Sequence, residues 1–167
     1  MTDIEGVIVR PLERFADERG SFTELARFAG YPGEFRQANH SRSKAGVLRG
    51  LHYHRAQADL WYVSHGRAQV ALADLRHPPT PVTRVFTMDG DAPTVAYIPP
   101  GVAHGFLALT DLDLIYLVTE EFDSSDEFGI AWDDAELAIP WANANPILSE
   151  RDRTNERLIW QQVPAFS

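Results

Sequence analysis

His52 and His54 stand two residues apart in a run rich in Val, Leu and Tyr; Asp59 follows five residues after His54, and His104 closes the segment Pro99-Pro-Gly101-Val-Ala-His104. On an extended strand, residues two apart project from the same face, so the imidazoles of His52 and His54 share a side. Imidazole and carboxylate groups are ligands for divalent transition metals, and ligand type alone does not choose among Fe, Mn, Zn, Ni and Cu. The plain alternative is a set of polar residues in a barrel interior with other work to do. The absence of Cys excludes a thiolate zinc site, a cysteine nucleophile and a disulfide framework.

The elements that must position these residues are short. The 11 prolines and 11 glycines punctuate the chain closely, and between them lie runs of Val, Ile, Leu, Phe, Tyr and Trp. Val7–Val9, Val47–Tyr53, Leu60–Val63, Ala68–Leu72, Val82–Thr87, Val95–Ile98, Phe106–Leu109 and Leu112–Val118 have strand length and β-branched or aromatic content. Ala68, Val70 and Leu72 alternate with Arg67, Gln69 and Ala71, and His65-Gly66 is expected to form a hairpin turn. Eight strands at this spacing predict an antiparallel sandwich or barrel. Towards the end of the chain, Ser149-Glu-Arg-Asp152 has capping-box spacing, which predicts a short helix over Arg153–Trp160.

With 15 Lys+Arg against 24 Asp+Glu the net charge is −9, which argues against nucleic acid or anionic lipid as the main partner. No apolar run approaches the roughly 20 residues of a membrane helix, and Met1-Thr-Asp-Ile-Glu-Gly has no basic flank or apolar stretch of a signal peptide. A single cytoplasmic domain over residues 1–167 is expected, long enough to bury its own core.

Gly46, five residues, His52-x-His54, a carboxylate and Gly66, followed by Pro99-x-Gly101-x-x-His104, resembles the two motifs of the cupin superfamily. That resemblance implies an all-β fold, a cupin-type jelly-roll β-barrel with a short C-terminal helical tail. It also places a divalent transition metal on His52, His54, Asp59 and His104. Asp59 stands where cupins usually carry Glu, and Ala108 where the second motif usually ends in Asn.

A second resemblance covers nearly the whole chain. Asp17-Glu-Arg-Gly20, Gln37-Ala-Asn-His-Ser41, Gly46-Val-Leu-Arg-Gly-Leu-His-Tyr53, Asp74-Leu-Arg76, Ile98-Pro-Pro-Gly-Val-Ala-His-Gly-Phe106, Gly129-Ile-Ala-Trp-Asp-Asp134 and Pro146-Ile-Leu-Ser-Glu-Arg-Asp152 occur in order. They resemble the dTDP-4-dehydrorhamnose 3,5-epimerase family, a metal-free branch of the cupin fold. The resemblance implies a cofactor-free homodimer acting on a nucleotide-linked 4-keto-6-deoxy sugar at C3, C5 or both. It implies His52 as general base, Asp152 as the carboxylate that orients it, and Tyr116 as general acid. Arg19, Glu24, Gln37, Asn39, Arg49 and His104 fall on substrate-binding positions, with Arg49 or His104 at the developing enolate oxygen.

An imidazole with an ordinary pKa near 6.5 suits removal of a carbon-bound proton at neutral pH. Each of these residues also has a plain structural use: Asp152 as a helix cap, Tyr116 as a packed strand residue, Arg19 and Arg49 as surface ion-pair partners. Trp61, Tyr62, Tyr97 and Phe106 divide between pocket wall and packed core.

Three departures matter. Asp59 stands where the family usually has a lysine, a change of two charges unfavourable to a diphosphate; His54 replaces a Gln; and Glu121-Phe122 replaces a Tyr pair. The first two restore the metal-cupin pattern, yet a metal on His52 occupies the lone pair a base needs. Three readings therefore stand: an epimerase, a metal-dependent sugar-modifying cupin, and a cupin that binds carbohydrate without chemistry.

Overall fold

The computed structural model describes residues 3–166; Met1 and Thr2, where the amino-terminal reading begins, and Ser167 lie outside the described residues. Twelve strands run β1 Ile8–Pro11, β2 Arg14–Asp17, β3 Gly20–Thr23, β4 Gln37–Ser43, β5 Leu48–Tyr53, β6 Asp59–His65, β7 Arg67–Asp74, β8 Val82–Asp89, β9 Thr94–Ile98, β10 Val102–Ala108, β11 Leu112–Val118 and β12 Phe128–Gly129. Two five-stranded antiparallel sheets, β1-β9-β6-β11-β4 and β12-β5-β10-β7-β8, form a sandwich, and β2 and β3 make a separate hairpin. This is the expected all-β jelly roll. Among the described residues, no helix is long and apolar enough to cross a membrane.

Period-2 alternation decides the layers. Ala68, Val70 and Leu72 of β7 point between the sheets, where they meet Trp61, Val63, Ile98, Phe106 and Leu114. Ala71 and Ala73 point the other way, yet they too are buried. The segment after β12 covers them with Ile130, Leu137 and Leu158, so the middle of the second sheet is buried on both faces. Each fully buried Leu or Val contributes about 1.5–3 kcal/mol.

Two local expectations are corrected. Strand β6 ends at His65 and β7 begins at Arg67, but they belong to different sheets. Gly66 is thus a corner between layers, not a hairpin turn. Its φ of +78° and the Asp111 backbone oxygen against its open side leave no room for a Cβ. The helix is α1, Glu150–Thr154, starting before the expected Arg153–Trp160; Trp160–Gln162 form only a 3-10 turn. Ser149 Oγ accepts from the Asp152 amide at 3.0 Å, so the helix begins directly after the capping residue.

Strands β5 and β10 set up the site. They pair antiparallel with His52 opposite His104, and a register shift follows between His104 and Phe106. At that irregularity the backbones close tightly: a Cβ on Gly50 would lie 2.7 Å from Gly105 Cα and 2.8 Å from the His104 carbonyl oxygen. Glycine at both positions lets the two histidine-bearing strands approach.

Candidate active site

A cavity of about 480 Å³ opens among β4, β5, β6, β10 and β11. His52, on β5, and Tyr116, on β11, belong to opposite sheets and both line it, so they face the cavity from different walls.

His52 Nε2 donates to Asp152 Oδ1 at 2.6 Å, across 100 residues of sequence. Asp152 is only 4% exposed. Burial pushes its carboxyl upward, but the hydrogen bonds from His52, Ser149 and the Gly50 amide, with the charge of His52, outweigh this and hold it below the ordinary carboxylate range. An ionised acceptor on Nε2 fixes the tautomer and leaves the Nδ1 lone pair available. The backbone of Asp152 is capped by Ser149 while its carboxylate reaches His52. Ser149, not Asp152, is thus the helix cap, and the Asp152 carboxylate is free to serve His52.

Tyr116 is half-buried. Burial raises its phenol, the Asp59 carboxylate raises it further, and Arg49 opposes them; the net direction is up, so the phenol keeps its proton at neutral pH. Arg49 reaches the cavity from β5, its Nε donating to Ser43 Oγ and its Nη2 to the Arg42 carbonyl, which directs the guanidinium. Gln37 and Asn39 line the same wall on β4, joined by a 2.8 Å bond from Gln37 Nε2 to Asn39 Oδ1.

His104 is on the wall too, but its Nδ1 donates to the Val102 carbonyl at 3.0 Å. Burial pushes its pKa down to about 4 against the pull of Asp59. His104 is therefore neutral at pH 7 and turns a lone pair to the cavity, whereas Arg49 presents a permanent donor to it.

The four-residue metal set does not assemble. His54, Asp59 and His104 have ligand atoms within 4.8 Å of one another, whereas His52 is turned away by its bond to Asp152. Arg19 and Glu24 are also absent from the cavity: on and beside the β2–β3 hairpin, they pair with Asp17 and Arg27. Of the four aromatic residues, Trp61 and Phe106 line the cavity, while Tyr97 packs with Tyr31 and Leu60. Sequence reasoning missed Arg151 and Glu127, a 2.6 Å ion pair at the cavity wall. The one available signal was that Arg151 adjoins Asp152 on a single helical turn.

A jelly-roll sandwich with a His–Asp pair on one wall of its pocket and a protonated phenol on the other has the build of a small cupin-type enzyme. Residues 1–159 match the family model described as dTDP-4-dehydrorhamnose 3,5-epimerase, and the chain belongs to that family. It is a carbohydrate epimerase. The Bacillus subtilis (strain 168) spore coat polysaccharide biosynthesis protein SpsL is 41% identical over 145 residues, covering 83% of this chain and 96% of that protein. The Escherichia coli (strain K12) dTDP-4-dehydrorhamnose 3,5-epimerase is 35% identical over 164 residues, 90% of this chain and 89% of that one. Among solved structures, the Bacillus anthracis dTDP-4-dehydrorhamnose 3,5-epimerase with TDP and PPi bound superposes with a TM-score of 0.88 at 34% identity, covering 95% of this chain and 97% of that chain.

Proposed function

We propose that this chain, working as one domain, epimerises a nucleotide-linked 4-keto-6-deoxy sugar at C3, C5 or both, with His52 as base and Tyr116 as acid. The carrying observation is the 2.6 Å His52–Asp152 bond on the wall opposite Tyr116. His52 Nδ1 takes the proton from a carbon beside the ketone; the C–H electrons form the enolate, and Asp152 stabilises the imidazolium as it appears. Arg49 offers the donor for the enolate oxygen. Tyr116 then gives its hydroxyl proton to the other face of the carbon, inverting the centre. Solvent removes the proton from His52 and restores the one on Tyr116. These steps use no redox or organic cofactor.

The nucleotide-sugar class is supported by the family and by the bound TDP of the Bacillus anthracis relative. A homodimer is supported by the hairpin: Phe15 and Phe22 are 53% and 66% exposed, and Arg19 between them lies outside the chain's own cavity. A second copy would cover the two rings and bring Arg19 and Glu24 to the first copy's nucleotide. In this reading the enzyme works in the cytoplasm, with its soluble substrate.

In heavy water the protein is expected to place deuterium at the carbons flanking the ketone, and His52→Asn to slow this by about 10²–10⁴-fold. Absence of exchange with every 4-keto sugar nucleotide tried would overturn the reading.

A further inference from the structure

Beside the base, three side chains turn acceptors to the cavity: His54 just after β5, Asp59 at the start of β6 and His104 on β10. His54 Nδ1 lies 2.6 Å from the Asp126 backbone carbonyl oxygen. A carbonyl only accepts, so Nδ1 carries the hydrogen, and Nε2 of the neutral ring keeps its lone pair. The 3.0 Å bond from His104 Nδ1 to the Val102 carbonyl has the same effect at His104 Nε2. Asp59 Oδ1 accepts from Gln57 Nε2 at 2.9 Å and Oδ2 from Trp61 Nε1 at 3.0 Å. Each carboxylate oxygen has a second lone pair, so both can accept again.

The facing atoms of the three residues all lie within 4.8 Å of one another. They do not satisfy each other: His104 Nε2 and Asp59 Oδ2 are 3.8 Å apart, beyond hydrogen-bond distance. Side chains only 8%, 3% and 6% exposed thus depend on the cavity's occupant for a donor. Their contacts from behind, two carbonyls, an indole and an amide, fix the direction in which that donor must come.

Two of the three stand at departures from the family pattern, Asp59 in place of a lysine and His54 in place of a glutamine. Lysine only donates and a carboxylate only accepts, so the exchange reverses the polarity of this wall. A ketone or enolate oxygen, itself an acceptor, is turned away from it; a hydroxyl is drawn to it. In a 4-keto-6-deoxy hexose linked through C1 and closed through C5, the hydroxyls are those on C2 and C3.

We propose that His54, Asp59 and His104 form a hydroxyl-recognition wall, to which the sugar donates from its C2 or C3 hydroxyl while its ketone oxygen is directed away, towards Arg49. The family resemblance already placed His104 at the substrate; His54 and Asp59 determine what that part of the cavity selects. The choice of sugar rests on the epimerase reading, and the wall orients the ring so that a carbon beside the ketone meets His52.

Calorimetric titration of the native protein with TDP, with TDP-linked 6-deoxyglucose and with its 2-deoxy, 3-deoxy and 4-deoxy counterparts reads the wall without turnover. Loss of the C2 or the C3 hydroxyl is expected to weaken binding at least about tenfold. That penalty is expected to shrink at least about threefold in Asp59→Asn or His54→Phe, each shown folded by circular dichroism, because a neutral or missing acceptor holds the hydroxyl less well. The proposal is overturned by a sugar nucleotide that binds no tighter than TDP, by a penalty confined to the 4-deoxy compound, or by an unchanged penalty in both folded variants. The analogue series on native protein needs no variant to fold. Deuterium exchange with a 4-keto sugar nucleotide reports separately on the epimerase reading: a hydroxyl penalty without exchange leaves the wall standing, and exchange without a penalty removes only the wall.

Discussion

In the proposed mechanism inversion, as distinct from mere proton exchange, turns on Tyr116. A base acting by itself removes a proton and returns one to the same face, which exchanges hydrogen without changing configuration. Tyr116→Phe is therefore expected to keep deuterium uptake while net inversion falls by about 10²–10⁴-fold. Nuclear magnetic resonance of the sugar in heavy water follows both at once, and an equal loss of both would show that Tyr116 is not the acid. At this scale the sequence was legible in residue type and only partly in partnership. His52 and Asp152 are 100 residues apart, and only the family resemblance joined them. The four-residue metal pattern failed because ring direction depends on what lies behind each ring, Asp152 for His52 and the Asp126 carbonyl for His54. Strand spacing carries no trace of those contacts. His104 likewise gave no hint that the Val102 carbonyl makes it an acceptor.

Strand β7 ends on a buried ion pair, and its pH response can be stated with a sign. Asp74 is 4% exposed and takes Arg76 Nε and Nη2 at 2.8 and 2.7 Å. Burial pushes the Asp74 carboxyl up, but the Arg76 bonds outweigh it and hold it below its ordinary value of 3.8. A carboxyl whose folded pKa is depressed stabilises the fold above its unfolded pKa, and that contribution is lost as pH falls through the folded value. Asp74→Asn is expected to flatten the loss of stability below about pH 4 and, at pH 7, to cost about 3 kcal/mol by leaving Arg76 uncompensated. Urea titration at several pH values checks both.

Most strands were legible because their runs are short, β-branched and aromatic. β4, Gln-Ala-Asn-His-Ser-Arg-Ser, was not: as an edge strand with alternate residues exposed it has little apolar content to announce it. The corner at Gly66 looked like a hairpin because a glycine with positive φ serves either geometry, and only the pairing of β6 with β9 and β11 distinguishes them. The tail helix began early because Ser149 caps the first turn, while the apolar residues after it pack against the sheet outside any α-helix.

For the whole molecule, the hairpin carries the assembly prediction. The native protein is expected to sediment with the mass of two chains, and Phe22→Asp, which puts a charge on the most exposed ring of the pair, to move it towards one chain and weaken TDP binding. A native protein that sediments as one chain would overturn the dimer. Arg19 and Glu24 carry family positions, but nothing in the sequence signals that they sit on and beside the β2–β3 hairpin, outside the chain's own cavity.

The bond from β5 to α1 has a consequence for the order of events in the cell. Synthesis delivers His52 long before Asp152, so a nascent chain can pair its sheets and shape much of the cavity while the imidazole has no carboxylate to orient it. Only after another 100 residues emerge can the pair close. On the proposed mechanism, a 4-keto sugar therefore meets an oriented base only on a chain whose covering segment has also arrived.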